Sequence, residues 1–314
     1  MNRHFRTFLL VLGGVTLVAG SAIFAVGCKT VKNTGKTREF DLSDKVFTSF
    51  EFDCDTSDIE FIASTDMKIV YQETEKIYHT EEVKDGTLFI KQTDDLKWYE
   101  RVFTFDFSPK KATIYLPAGH YASLKADNNT GDIKITHDFS FDAVDIKLST
   151  GDVDLKSDVI GDTKVVTSTG NISLSDMSTK SLTVDRSTGN LKLNKLNVTE
   201  AIVVEGSTGK FSATEVKAAS LKVNQSTGDV NLKDVKVTGA LDIKCSTGDV
   251  EFDDIDFATG NIKTSTGDIE GTLSTPKYVE ASSDTGKVKV DSDRMATQTL
   301  TVKSDTGKII ISNK

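Results

Sequence analysis

Ser226-Thr227-Gly228-Asp229-Val230-Asn231-Leu232 is one of ten near-copies of a single phrase in this chain. Its invariant part is Thr-Gly. The pairs are Thr130-Gly131, Thr150-Gly151, Thr169-Gly170, Thr188-Gly189, Thr208-Gly209, Thr227-Gly228, Thr247-Gly248, Thr266-Gly267, Thr285-Gly286 and Thr306-Gly307, spaced 19 to 21 residues apart. Ser precedes Thr in seven of them, Asn129 in the first, and Asp284 and Asp305 in the last two. A fixed period sustained over most of a chain marks a repeat architecture.

Apolar columns flank each glycine. Val204, Val223 and Ile243 stand five residues before it, and Ile202, Leu221 and Leu241 seven before. Phe211, Val230 and Val250 stand two after it. Polar residues fill most alternate positions, so each repeat carries short half-buried strands on both sides of a tight corner. A third apolar pair, such as Val235 with Val237, follows in the middle repeats. One 19-residue unit with one apolar stripe cannot bury that stripe alone and must stack on its neighbours. The fold this predicts is all-β: a parallel β-solenoid of ten 19–20-residue repeats with a β-rich N-terminal cap. At about 4.8 Å per coil it is a rod of roughly 45 Å. Antiparallel hairpins in a sandwich are the alternative, and the constant period and in-register columns favour the solenoid.

The corner residues are the candidate sites. Glycine supplies a positive φ, and Asp or Asn follows it in seven repeats, as turn residues do. Ser226, Ser246 and Ser265 with Asp229, Asp249 and Asp268 form the outward candidate binding face. The Asp column could hold Ca²⁺ between coils. Asn171, Asn190, Lys210, Lys287 and Lys308 interrupt it, so the reading is metal-free and no cofactor is expected. By parity with the apolar columns, the Thr column is expected to turn inward as a structural hydroxyl ladder.

Phe8 to Gly27 is a 20-residue stretch without a charge, long enough to span a bilayer. Three readings fit residues 1–28: an uncleaved signal anchor, favoured by length; a lipoprotein signal with Cys28 as the lipid-bearing residue; and a cleaved signal peptide. With the N-terminus inside, the repeat region lies outside the bacterial cell membrane. Residues 29–39 read as a linker, 40–120 as the β-rich cap and 121–314 as the repeat solenoid. Asp85-Gly86 is a hairpin signal, and Thr56-Ser57-Asp58-Ile59 looks like a degraded corner with Ser57 in the glycine's place. No terminal cap follows the last repeat.

An N-terminal span, a β-rich segment closing with Ala112-Thr113-Ile114-Tyr115-Leu116-Pro117, and Ser-Thr-Gly-Asp-Val-x-Leu repeats together resemble the bacterial "putative adhesin" β-strand-repeat proteins. That family includes LiaG-like envelope proteins and has no known molecular function. The resemblance covers roughly residues 40–314. It implies an extracytoplasmic, membrane-attached protein, mostly of Gram-positive bacteria, linked to adhesion or envelope stress, and it supplies no catalytic residues.

Net charge is −9, from 38 Lys and Arg against 47 Asp and Glu, which argues against a nucleic-acid partner. The histidines, His4, His79, His120 and His137, are scattered, and no nucleophile elbow or phosphate loop appears. The function expected is therefore a non-enzymatic surface rod binding cell-wall or surface glycans or another envelope protein. The alternatives are an accessory or sensor protein of an envelope-stress system and a polysaccharide-active β-helix enzyme. The sequence specifies no oligomeric state.

Overall fold

The computed structural model describes residues 35–98 and 110–314, and among these it forms 27 strands in one continuous hydrogen-bonded sheet. The sheet is a parallel β-solenoid. The coil of Gly228 shows the unit: strand Ser220–Thr227, a corner at Gly228, strand Val230–Lys233, a second corner at Asp234, and the short strand Lys236–Val237. Its register on the next coil is Leu221 to Leu241, Val223 to Ile243 and Thr227 to Thr247, then Val230 to Val250. Like therefore stacks on like, and Leu221, Val223, Val230, Leu232, Val235 and Val237 are all buried. The weak members of these columns make room for large neighbours. A Cβ on Gly260 would strike the Phe257 ring, and one on Gly271 the Phe252 ring, as close packing demands.

Two features fix the first corner. Gly228 sits at φ 120°, where side chains are disfavoured. A Cβ there would also collide with the Gly209 carbonyl of the preceding coil. The second corner uses a positive φ without glycine, at Asp176, Lys195, Glu215, Asp234 and Asp254, with φ from 52° to 58°.

Both ends are threaded. Strand Thr299–Thr306 pairs in parallel with Thr259–Thr266 on one side and Tyr278–Ser283 on the other. Strand Ile309–Asn313 likewise lies between Ile269–Leu273 and Val288–Val290. The last repeat in sequence is thus not the last coil, as its position in the chain implied; the repeat of Gly286 is. Burial explains the order. Leu300, Val302, Ile309 and Ile311 are buried inside, while Val288 at the rim is 39% exposed. Lys277, fully buried, clamps the crossover: its Nζ donates to Gln298 Oε1 (2.6 Å), Asp256 Oδ1 (2.7 Å) and the Phe257 carbonyl (2.8 Å).

At the other end, strand Ser49–Cys54 lies between Thr87–Asp94 and Gly119–Thr130. Ser57 occupies the glycine position of this coil, beneath Gly131. Strands Lys68–Glu73 and Ile77–Lys84 then run antiparallel to the outermost coil, and the Asp85-Gly86 hairpin forms. Strand Lys36–Asp41 pairs with Lys68–Glu73, so ordered structure begins inside the segment expected to be linker. The core here is aromatic: Phe50 meets Phe61 edge-to-face at 5.2 Å, and Phe61 meets Phe139 at 5.6 Å.

Candidate functional site

The edge formed by the Thr-Gly corners is the face the repeats display. Ser226 and Thr227 are both exposed, as are Ser246 and Thr247 and the equivalent pairs from Ser149-Thr150 to Ser207-Thr208; in the next coil Ser265 is half-buried beside exposed Thr266. Thr130 to Thr266, followed by Thr306, stack in continuous register. Exposure of the Thr column corrects the inward ladder expected from parity. Alternation stops two residues short of the glycine because the chain already bends there, and the interior at the corner is filled by the residue three before it. The column is held by backbone instead: Gly228 N donates to Thr247 O and Gly248 N to Thr266 O, both at 2.9 Å.

The Asp and Asn that follow the glycines form a second ladder, from side chain to backbone. Asp152 N donates to Asp132 Oδ1 (2.8 Å), Asn171 N to Asp152 Oδ1 (2.7 Å) and Lys210 N to Asn190 Oδ1 (2.9 Å). Asp249 N donates to Asp229 Oδ1 (3.2 Å) and Asp268 N to Asp249 Oδ1 (2.8 Å). Asp and Asn both supply this acceptor, which accounts for their interchange in the column. Lysine can receive the ladder but not pass it on. One oxygen of each carboxylate is engaged within the rod, and the edge of the side chain remains at the surface. Among the described residues, no cluster of three or more His, Cys, Asp or Glu has a metal-holding arrangement.

A third column was invisible in the sequence. The residue three before each glycine points inward although it is usually polar. Ser304 Oγ donates to Gly267 O (3.0 Å), Thr264 Oγ1 to Gly248 O (3.3 Å) and Gln225 Nε2 to Gly209 O (2.9 Å). Asn128 Nδ2 does the same to Ser57 O (2.9 Å). These bonds satisfy corner carbonyls that would otherwise be buried without partners. Gly206 has no donor to give. Arg186, one coil below, replaces it: Nη1 donates to Gly189 O (3.1 Å) and Nη2 to Gln225 Oε1 (2.8 Å). Its guanidinium is buried without a carboxylate, and desolvation lowers its pKa.

The cap holds one arrangement with the outline of a hydrolase site. Ser57 Oγ lies 2.7 Å from His79 Nε2, and His79 Nδ1 lies 3.3 Å from Glu73 Oε2. Burial lowers the His79 pKa, which favours the neutral ring; the neighbours suit a proton on Nδ1 toward the carboxylate and an Nε2 that accepts from the Ser57 hydroxyl. Glu73 is held below the usual carboxylate range: burial raises it, but bonds from Arg38 and the His79 amide outweigh that. Ser57 has no exposed surface, and His79 and Glu73 are buried as well, so the hydroxyl cannot meet a substrate. The chain of bonds ties the corner at Ser57 to strands Lys68–Glu73 and Ile77–Lys84 and serves the cap's packing. Cys54 and Cys245 are free and buried; burial pushes the Cys54 thiol up to about 12. Cys28 and the apolar stretch 8–27 lie outside the described residues. Within the described residues no helix is long and apolar enough to cross a membrane.

The family model described as Toastrack DUF4097 matches residues 47–203 and again 179–314. The chain belongs to this Toastrack family. Similar solved structures come from several bacteria. A Bacteroides fragilis NCTC 9343 protein described as a "putative adhesin" is 16% identical, covering 90% of this chain and 97% of its own, with a TM-score of 0.34. A "putative lipid binding protein" from Parabacteroides distasonis ATCC 8503 is 18% identical over 76% of this chain and 94% of its own, with a TM-score of 0.43. A "putative cell adhesion protein" from Clostridium sporogenes ATCC 15579 is 13% identical over 90% of this chain and all of its own, with a TM-score of 0.22. No curated protein matches this Toastrack chain significantly.

Proposed function

We propose that this Toastrack protein is a non-enzymatic, extracytoplasmic binding rod, held at the bacterial cell membrane by its N-terminal segment. It engages an extended surface or wall partner through groups presented once per coil. The observation that carries this reading is the double column of Ser and Thr hydroxyls on the corner edge, in continuous backbone register. A single hydroxyl contact is weak. Several coils acting on one chain raise avidity without new chemistry. The buried state of the Ser57, His79 and Glu73 group supports the non-enzymatic part.

The test is binding of the purified protein to intact envelopes, with residues 35–314 as the soluble form. That form must keep the strand Lys36–Asp41, because Arg38 bonds Glu73 and Glu81. Retention on envelopes is expected, unchanged by EDTA. Absence of retention, or hydrolysis of wall glycan by the protein, contradicts the reading.

A further inference from the structure

A different edge of the rod carries the more specific site. At the second corner the side chains flanking the bend stand apart, and between them runs a trough of about 750 Å³. It extends from Asp158 to Asp254, across six coils, or about 24 Å at roughly 4.8 Å per coil. Its floor is apolar at one end, where Met177 and Leu196 lie buried beneath it.

The walls are charged, and most of the charges have no direct partner. Asp176, Lys195, Glu215, Lys217, Asp234 and Lys236 all line the trough. None of the six side chains makes a hydrogen bond or ion pair with any described residue, whereas the lysines on other faces commonly pair: Lys125 with Glu51, Lys147 with Asp127, Lys244 with Asp242. At the far end of the trough, Asp254 is paired: Lys314 Nζ meets its Oδ2 at 2.7 Å. The backbone adds an independent sign. Lys195 and Glu215 hold φ of 54°, in the left-handed region that Asp or Asn enters more easily. Asp serves at the same corner in the coils of Gly170, Gly228 and Gly248, so local conformation does not ask for Lys or Glu there.

The chemistry of the walls selects the ligand class. Five carboxylates, counting Asp158 and Asp254, face three ammonium groups, a mixture that repels neither neutral chains nor attracts a polyanion. No aromatic or protruding aliphatic side chain lines the trough, so nothing forms the apolar pocket that anchors a protein partner. Alternating free acceptors and donors along a groove match a chain that offers hydroxyls as both donor and acceptor at every unit. We infer that the second-corner trough is a binding groove for a single neutral polysaccharide chain lying along the rod axis. This rests on the binding-rod reading above, and names both another face and a ligand class.

The experiment is affinity electrophoresis and calorimetry of the full chain with neutral oligomers, hexamers of glucose and of N-acetylglucosamine, beside dextran sulfate. The variants are Glu215→Ala/Lys217→Ala, Asp234→Ala/Lys236→Ala, and a control on exposed lysines away from both corners, Lys164→Ala/Lys222→Ala. Each variant's melting temperature is recorded to show that it folds. The expected result is binding of a neutral hexamer that falls at least tenfold in both trough variants and stays within twofold in the lysine control. Neutral binding that survives both trough variants overturns the groove while leaving the binding rod standing. Binding of dextran sulfate alone, or loss in the trough variants of an envelope protein but of no glycan, overturns the ligand class. Failure of every glycan and every envelope fraction to bind overturns both readings.

Discussion

Arg186 reaches over a glycine to a glutamine two coils away: its Nη2 donates to Gln225 Oε1 at 2.8 Å, and Gly206 lies in the coil between. The three residues are one compensated unit. A Cβ on Gly206 would collide with Gln225 Oε1 and stand 3.0 Å from Arg186 Nη1. Gly206→Ser is therefore expected to destabilise by about 1–3 kcal/mol, as overpacking does. Paired with Arg186→Thr, the serine hydroxyl reaches Gly189 O as Ser304 reaches Gly267 O, and at least half the loss should return. Urea unfolding of the two single variants and the double measures this. Additive losses would contradict the compensation.

The Asx ladder makes a second distinction. Asp249 Oδ1 accepts the Asp268 amide at 2.8 Å. Asp249→Asn keeps that acceptor and should leave stability within about 0.5 kcal/mol. Asp249→Ala removes it and should cost about 1 kcal/mol, the usual net worth of one bond. Equal effects would mean that the side chain is a turn ornament without a partner.

Acid should loosen the cap first. Burial lowers His79 below its ordinary 6.5, so the unfolded state binds the proton more readily. The stability this contributes is complete above about pH 6.5 and is lost as pH falls from there toward the depressed native value. Glu73, also lowered, adds a further loss below its ordinary 4.5. Melting temperature from pH 7.5 to 5 should fall in the wild type, with a shallower slope in His79→Gln. Parallel slopes would remove His79 from the cause.

The threaded C-terminus gives a result that chain order alone would reverse. Strands Thr299–Thr306 and Ile309–Asn313, near the chain end, lie one layer inside Tyr278–Ser283 and Val288–Val290. Amide exchange should be fastest in 278–290 and slow in 299–313, because rim strands open first. Lys277→Met leaves Asp256 and Gln298 without their cation and should cost about 1–3 kcal/mol, the worth of lost bonds to a charged group, since the Asp256 side chain is only half-buried. It should also speed exchange across both segments.

Much of the fold was legible because a solenoid repeats its physics. The columns of Val223 and Val230 and the corner glycines return every 19 to 21 residues, and Ser57 could be placed in a glycine position by the same pattern. What escaped was whatever broke alternation or had no period. Thr227 faces outward because the strand bends before its glycine. Gln225 and Arg186 look like surface residues by type, yet point inward to a carbonyl that sequence does not display. The exchange of the last two coils keeps every column intact, so no pattern records it. The meeting of Ser57, His79 and Glu73 depends on pairing between distant strands. The trough was missed because Lys195 and Glu215 sit at a bend that lacks the glycine signal.

The most direct test of the binding-rod reading counts coils. Ser246→Ala/Thr247→Ala should weaken retention on envelopes or wall glycan by less than threefold. The same change in three successive coils, at Ser226-Thr227, Ser246-Thr247 and Ser265-Thr266, should weaken it more than tenfold, because linked contacts multiply. These side chains lie mostly at the surface, so the melting temperature should move by no more than about 2 °C. Affinity that falls steeply with coil number at constant stability is the predicted result. Full retention by the three-coil variant, or complete loss in the one-coil variant, would contradict it.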